Sequence, residues 1–248
     1  MNLGRIGLYF FNNPGTGESD LQDTTQLLDL YAGTVTSKFT FNGSTVEVFT
    51  VCDPTDDILG ISVKSDLLAN GQLGLFFDFP YPNSGMFQQP VVGTWGDPTP
   101  TTTIETSGHS ALITQTVDAN SHYLNIAWVE TAGSIVGPVG TAAGGANQYH
   151  FSALRSSTLN MTVQFSPTSD SFQDTTTALV KDNSASGWQT YWAEGAFLDL
   201  TATDNANATE LQRRIILSQY LLAVNSAGDY EPQGSLELFC TFSDQIVC

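Results

Sequence analysis

The stretch Gly33-Thr34-Val35-Thr36-Ser37-Lys38-Phe39-Thr40-Phe41-Asn42-Gly43-Ser44-Thr45-Val46-Glu47-Val48-Phe49-Thr50-Val51 decides the fold. Val35, Phe39 and Phe41 precede Asn42-Gly43, and Val46, Val48 and Val51 follow it. Asn-Gly supplies the positive φ angles of a tight two-residue hairpin turn, whose twist suits the flanking strands. The near-alternating apolar residues place one face of each strand on a core. The stretch therefore reads as a β-hairpin, and the chain around it extends the pattern. Upstream, residues 6–11 are apolar and end at the turn signal Asn12-Asn13-Pro14-Gly15. Downstream, residues 59–63, 73–79, 111–117, 123–129 and 159–165 and the neighbourhood of Ile104 read as further strands. Many strands parted by Gly, Pro and Asn turns predict a large antiparallel β-sandwich over residues 3–165. Residues 81–103, rich in Pro and Thr, and residues 132–146, rich in Gly and Ala, read as long loops.

After Phe165 the period changes. Ser169-Asp170 is a capping signal for a helix over about residues 171–182, with Phe172, Ala178 and Leu179 near helical spacing. Trp188, Tyr191 and Trp192 follow at i, i+3 and i+4, which puts three rings on one helical face. Gly195 breaks that pattern before the short apolar run Ala196-Phe197-Leu198-Asp199-Leu200. The strongest helical pattern covers residues 208–227, with Asn205 or Asn207 as its N-cap and Gly228 in position for a left-handed C-terminal cap. Glu210 and Arg214 form a favourable i, i+4 pair. Ile215, Ile216, Leu217, Tyr220, Leu221, Leu222 and Val224 cover more than one stripe, which predicts burial on several sides. The sandwich can cover only one of those sides. An exposed apolar patch and self-association through this helix are therefore expected.

The composition excludes several functions. The chain has 248 residues, with Asp+Glu 25 against Lys+Arg 7 and a formal charge of −18. Such a surface repels phosphate backbones and anionic membranes, so neither nucleic acid nor a membrane is expected as a partner. No apolar run reaches the roughly 18 residues of a membrane span. Three acceptor sequons, at Asn42, Asn160 and Asn207, together with few lysines and an acidic, Thr-rich composition, suggest an extracellular, glycosylated protein. Met1-Asn2-Leu3-Gly4-Arg5-Ile6 lacks a signal-peptide pattern, so the secretion signal is expected upstream of it. Cysteine is scarce. Cys240 and Cys248 are near enough in sequence to bridge, which leaves Cys52 as a small buried apolar residue. His109, His122 and His150 are far apart and have no partner at ligand spacing, so no metal site is expected. No Gly-rich phosphate loop, nucleophile elbow or triad spacing occurs, and no cofactor is implied.

Several segments resemble the N-terminal β-sandwich of secreted six-hairpin glycosidase-like proteins of fungi and bacteria. They are Gly4-Arg5-Ile6-Gly7-Leu8, Leu28-Asp29-Leu30-Tyr31-Ala32-Gly33, Gly71-Gln72-Leu73-Gly74-Leu75 and Phe79-Pro80-Tyr81-Pro82. Trp188-Gln189-Thr190-Tyr191-Trp192 with Gly195-Ala196-Phe197-Leu198-Asp199-Leu200 belong to the same resemblance. Its most specific part is Glu210-Leu211-Gln212-Arg213-Arg214-Ile215-Ile216-Leu217-Ser218-Gln219-Tyr220-Leu221-Leu222-Ala223, which looks like the start of that family's (α/α)6 barrel. The resemblance implies a supersandwich-like domain at residues 1–167 and a linker helix region at 168–203. It places one barrel-type helix at 204–233 and a divergent tail at 234–248. In the family, barrel carboxylates cleave glycosidic bonds. The chain departs from the pattern after Gln233, as in a truncated member, so none of those carboxylates carries over and no hydrolase activity is expected of the chain alone.

Two carboxylates flank the bond in most glycoside hydrolases. Glu194 and Asp199 are the weak candidates, because they adjoin Trp188, Tyr191 and Trp192, rings that could stack on a sugar. The competing reading makes those rings the packed core of a domain junction. Asp53, Asp56 and Asp57 share one loop and offer oxygen ligands to Ca²⁺, but without EF-hand spacing they read as a solvated acidic turn. Asp78, within Phe76-Phe77-Asp78-Phe79, is expected to point to the opposite sheet face from its immediate neighbours. Two rival readings stand beside the scaffold: a free carbohydrate-binding sandwich, which an exposed Trp95 or Trp128 would favour, and a non-functional structural fragment.

Overall fold

The computed structural model describes residues 2–82, 93–129, 132–140, 145–169 and 175–227. Its first half of strands comprises β1 (Arg5–Phe10), β2 (Gln22–Asp29), β3 (Thr34–Phe41), β4 (Ser44–Cys52), β5 (Ile58–Lys64) and β6 (Leu73–Asp78). The second comprises β7 (Thr101–Ser107), β8 (Ser110–Val117), β9 (Asn120–Val129), β10 (Ala132–Val136), β11 (Gln148–Leu154) and β12 (Thr158–Ser166). They form a large antiparallel sheet in the order β2-β3-β4-β5-β12-β9-β8-β7 and a small one in the order β1-β6-β11-β10. The protein is mainly β, a two-sheet sandwich with few helices.

The hairpin is the expected one. Asn42 and Gly43 have φ of 49° and 78°, and Phe41 pairs with Ser44 across a two-residue turn. Phe39 opposes Val46, and both are buried with Phe41 in the core. Val51 is on the other face of β4, where it packs with Ile58 and Val180. The main core lies between the sheets. Leu159, Met161 and Val163 of β12 and Leu124 and Ile126 of β9 meet Leu73, Leu75 and Phe77 of β6 and Tyr149 and Phe151 of β11. A single helical turn, α1 (Asp66–Ala69), is capped by the Ser65 hydroxyl, which accepts from the Leu67 N–H at 3.2 Å, and it seats Leu67 and Leu68 in the same core.

Two long helices follow the strands: α2 (Thr177–Tyr191) and α3 (Ala206–Asn225). The expected helix over 171–182 is corrected in its bounds. Its cap is Thr176, whose hydroxyl accepts from the Leu179 N–H, and it runs on as one element through Trp188. Residues 170–174 lie outside the described set. α2 lies on the outer face of the large sheet. Thr177 Oγ1 donates to the Met161 carbonyl at 3.0 Å, Ser184 Oγ to the Ala32 carbonyl at 3.0 Å, and Val180 is fully buried. Gly60 lets the helix come close, since a Cβ there would sit 3.3 Å from Thr177 Cγ2.

Three strands were not expected from the sequence. Residues 132–136, read as part of a loop, form β10, and Gln148–Leu154 form β11 beside it. β2 is an edge strand with every residue exposed. Residues 83–92 and 141–144 of the two expected loops lie outside the described residues. Cys52 is also corrected: it is half-buried and disulfide-bonded, not a free small apolar residue. Cys240 and Cys248 lie outside the described residues, as do Gly228 and the tail.

Candidate functional site

The last turn of α2 brings the three predicted rings together. Trp188 and Trp192 stack with centroids 6.0 Å apart, and Tyr191 meets both edge-on at 5.5 and 4.9 Å. Each ring has a neighbour in another element. Trp192 Nε1 donates to the Leu30 carbonyl at 2.8 Å, and its side chain is buried. Tyr191 OH donates to the Gln219 carbonyl of α3 at 3.1 Å. Trp188 packs on Tyr220 of α3 at 4.8 Å and covers Gly33, at the β2–β3 turn. Gly33 has φ 64°, and a Cβ there would collide with the indole. The rings thus join the sandwich, α2 and α3. Trp188 and Tyr191 keep partial exposure, whereas Trp192 has none to spare for a ligand.

The carboxylate candidates do not share that packing. Glu194 and Asp199 are both exposed. Asp199 Oδ1 accepts from the Thr201 N–H at 2.8 Å, and the Thr201 hydroxyl and N–H hold its carboxyl below the ordinary range. This is turn chemistry, in which an Asp caps the backbone two residues on. An acid catalyst of a glycosidase needs a raised pKa instead. After the turn, the Leu200 N–H donates to Gln212 Oε1 at 2.7 Å, which ties the segment to α3.

Helix α3 begins at the Asn205 cap, whose Oδ1 accepts from the Asn207 N–H at 3.0 Å. Glu210 bonds Arg214 at 2.7 Å as expected and also Arg213 at 2.8 Å, and these two guanidinium groups pull its pKa down to about 2. No residue of α3 is buried, and Leu211, Leu217, Leu222 and Val224 are exposed.

The Asp53 loop closes on itself and on α2. Asp53 Oδ1 accepts from the Thr55 N–H at 3.0 Å, and Oδ2 accepts from Asn183 Nδ2 at 2.9 Å. Burial raises the Asp53 pKa, but these hydrogen bonds outweigh it and leave the carboxyl below its ordinary value. Among the described residues no group of three His, Cys, Asp or Glu side chains is placed to hold a metal ion. His150 is buried against the Tyr9 ring at 3.8 Å, with Nε2 2.7 Å from Gln148 Oε1. Burial lowers its pKa, against the opposing pull of Asp78.

Asp78 faces away from Phe77 and Phe79, as the strand period requires. Sequence reasoning missed its partner. Arg5 lies opposite it in register, and Arg5 Nε and Nη2 both donate to Asp78 Oδ2, at 3.1 and 2.7 Å. The same guanidinium lies over the Trp95 ring at 4.2 Å. Trp95 is therefore engaged and half-buried, and Trp128 is 3% exposed, so neither forms an open aromatic platform. Of the sequons, Asn42 and Asn207 are exposed, and Asn160 is half-buried on the outer face of β12.

No known protein-family model matches the sequence, and no curated protein matches it significantly. Among solved structures, the chain is similar to a bacterial glucoamylase complexed with acarbose. The TM-score is 0.56 at 11% identity, over 90% of this chain and 35% of that one. A kojibiose phosphorylase assignment from the human microbiome is matched over 92% of this chain and 30% of that one, at 10% identity. Its TM-score of 0.40 is too low to speak for the fold. The likeness to the glucoamylase is one of fold, and the present chain spans about a third of that protein's length.

Proposed function

We propose that these 248 residues are the β-sandwich portion of an extracellular glycoside-hydrolase-like protein, and that they do not cleave glycosidic bonds by themselves. The observation that carries this reading is the sandwich shared with a glucoamylase, followed by a helix with no buried residue and four exposed apolar side chains. In this reading residues 1–167 are the sandwich, 168–203 a linker and 204–233 the first helix of an (α/α)6 barrel, with 234–248 a divergent tail. Trp188, Tyr191 and Trp192 hold that junction rather than a sugar. Carbohydrate is the substrate class of the whole protein, the neighbour's acarbose being the supporting fact. Glycans on Asn42, Asn160 and Asn207 belong to the same proposal; the bridge expected between Cys240 and Cys248 does not, because the chain has three cysteines and Cys52 is itself disulfide-bonded. The charge of −18 argues against nucleic acid as a partner.

The test is an assay of the purified chain on maltose, cellobiose and an aryl glucoside. Sugar release equal to the buffer control is expected, because the exposed Glu194 and the turn-bound Asp199 make a poor acid/base pair. Turnover that disappears in Glu194→Gln or Asp199→Asn would overturn the reading and identify the site.

A further inference from the structure

Cys52 is the last residue of β4. Its side chain packs on the core side of the large sheet, whereas Val51 before it packs under α2 on the outer side. Cys52 is disulfide-bonded, and the chain has three cysteines. Its partner within the chain is therefore Cys240 or Cys248, both in the last stretch of sequence and outside the described residues. Whichever of the two is taken, one thiol is left over.

The surroundings of Cys52 put the second half of α3 at the same end of the large sheet. Val51 pairs with Thr34, so Gly33 and the β2–β3 turn stand at this end. The Trp188 indole lies against Gly33 and also packs on Tyr220 of α3. Asp53 accepts from Asn183 of α2 at 2.9 Å, and Pro54 lies against Gly187, next to Trp188. A chain leaving α3 a little after Tyr220 thus starts close to the end of β4, but on the α2 side. To reach Cys52 it must pass round the end of the sheet to the core side. From Asn225, the last residue of α3, the nearer Cys240 is fifteen residues on, a reach of about 50 Å at about 3.3–3.6 Å per residue. The ten residues of β9 extend over about 34 Å, so the segment is long enough to make that turn.

We infer that the C-terminal segment passes round the end of the large sheet and is tied to the sandwich by a disulfide from Cys52 to Cys240 or Cys248, the remaining cysteine being a free thiol. Forming the bond takes two electrons and two protons from the two thiols. A disulfide-carrying oxidoreductase accepts them as its own disulfide is reduced. The bond closes α2 and α3 into a covalent loop with β4. It anchors the chain beyond a helix that buries no residue of its own. Such bonds persist in oxidising compartments, in keeping with an extracellular protein. The inference stands on the cysteine count and the place of Cys52, and not on the likeness to a glycoside hydrolase.

The test is a peptide map of the full chain, purified without reductant, with free thiols first blocked by N-ethylmaleimide in denaturant. Trypsin cuts at Lys38, Lys64 and Arg214, which separates Cys52 from the other two cysteines, and cleavage before Asp244 parts Cys240 from Cys248. The expected result is a peptide of residues 39–64 joined to one from residues 215–248, in a chain that runs as a monomer on a non-reducing gel. The joined peptide should vanish on reduction, and the remaining cysteine should carry the single maleimide. A bridge between Cys240 and Cys248 with the label on Cys52 would overturn the inference. So would labels on all three cysteines, or a link from Cys52 that crosses between two copies. The anchoring is read separately by amide exchange. The double variant Cys240→Ser, Cys248→Ser leaves the sandwich sequence untouched, and should exchange several-fold faster than the bridged protein along 206–225 while β5 and β12 keep their protection. Equal rates along 206–225 in the two proteins would show that the bond does not hold α3.

Discussion

The β3–β4 hairpin and helix α3 are both rich in apolar residues and end in opposite surroundings. In the hairpin, Phe39, Phe41 and Val46 are sealed between two sheets, and Val51, on the other face, is sealed under α2. In α3, Leu222 is 58% and Leu211 51% exposed, and the helix rests on α2 through Tyr191 and Trp188 alone among the rings. The difference lies in how many faces a pattern presents and how many the rest of the chain covers. A strand has two faces, and the sandwich and α2 supply a cover for each. A helix apolar over most of its circumference needs neighbours on several sides. Hydrophobic burial is proportional to area removed from water, so apolar residues without a cover contribute little.

The largest expected effect tests the covered side of this comparison. Phe77→Ala, at a fully buried site in β6, should cost about 3–5 kcal/mol in urea unfolding. Leu222→Ala on α3 should stay within about 0.5 kcal/mol. Similar losses at the two sites would erase the contrast. Next comes the junction: Gly33→Ala should destabilise by about 1–3 kcal/mol, because the new Cβ meets the Trp188 indole at a left-handed backbone position. A shift in tryptophan emission should accompany it, and an unchanged spectrum would place Trp188 elsewhere.

Tyr191→Phe removes one hydrogen bond between α2 and α3, worth about 0.5–1.5 kcal/mol. Amide exchange should then quicken along 206–225 while β4, β5 and β12 keep their protection. Equal loss in both regions would mean that α3 unfolds only with the sandwich. The uncovered face predicts concentration-dependent association in sedimentation, weakened in the double variant Leu211→Gln, Leu222→Gln. A monomer at all concentrations, with strong exchange protection throughout α3, would show that its apolar face is covered.

The smallest effect is a pH dependence confined to α3. The Glu210 pKa falls from its ordinary 4.5 to about 2 through Arg213 and Arg214. A depressed carboxyl stabilises the folded form above the unfolded value and loses that contribution as pH falls through the folded one. Helical signal from α3 should therefore weaken slightly between pH 4.5 and 2, and Glu210→Gln should flatten that slope. Added salt should reduce the effect, since the pair is exposed.

Legibility followed the locality of the cause. The Asn42-Gly43 turn was readable because two adjacent residues specify it, and the flanking period of two was intact. The cap and charge pairing of α3 were readable for the same reason. β2 was not, because Gln22-Asp23-Thr24-Thr25-Gln26-Leu27-Leu28-Asp29 has no alternation and buries no residue. β11 does carry a period-two signal, since Tyr149, Phe151 and Ala153 alternate into the core, but it adjoins a Gly- and Ala-rich stretch that reads as loop. The extent of α2 was hidden by Asn183, Ser184, Ser186 and Gly187, all poor helix formers. Those small residues suit a helix pressed onto a sheet, with Ser184 bonded to Ala32 and Gly187 against Pro54. At the candidate site, ring spacing placed Trp188, Tyr191 and Trp192 together, but their assignment to the junction rests on Leu30, Gly33, Gln219 and Tyr220, far away in sequence.

By itself the sequence determined the local alphabet of this protein: strands by alternation, a hairpin by Asn-Gly, a final helix by its cap and period, and an acidic surface by composition. These depend on interactions within a few residues, which neighbouring positions encode directly. Only the tertiary structure decided that Arg5 meets Asp78, that Cys52 is disulfide-bonded, and that the three rings close a junction. Those outcomes follow from strand order and register across a sheet, where a residue's partner is set by the pairing of distant segments and a one-residue slip turns every side chain to the other face.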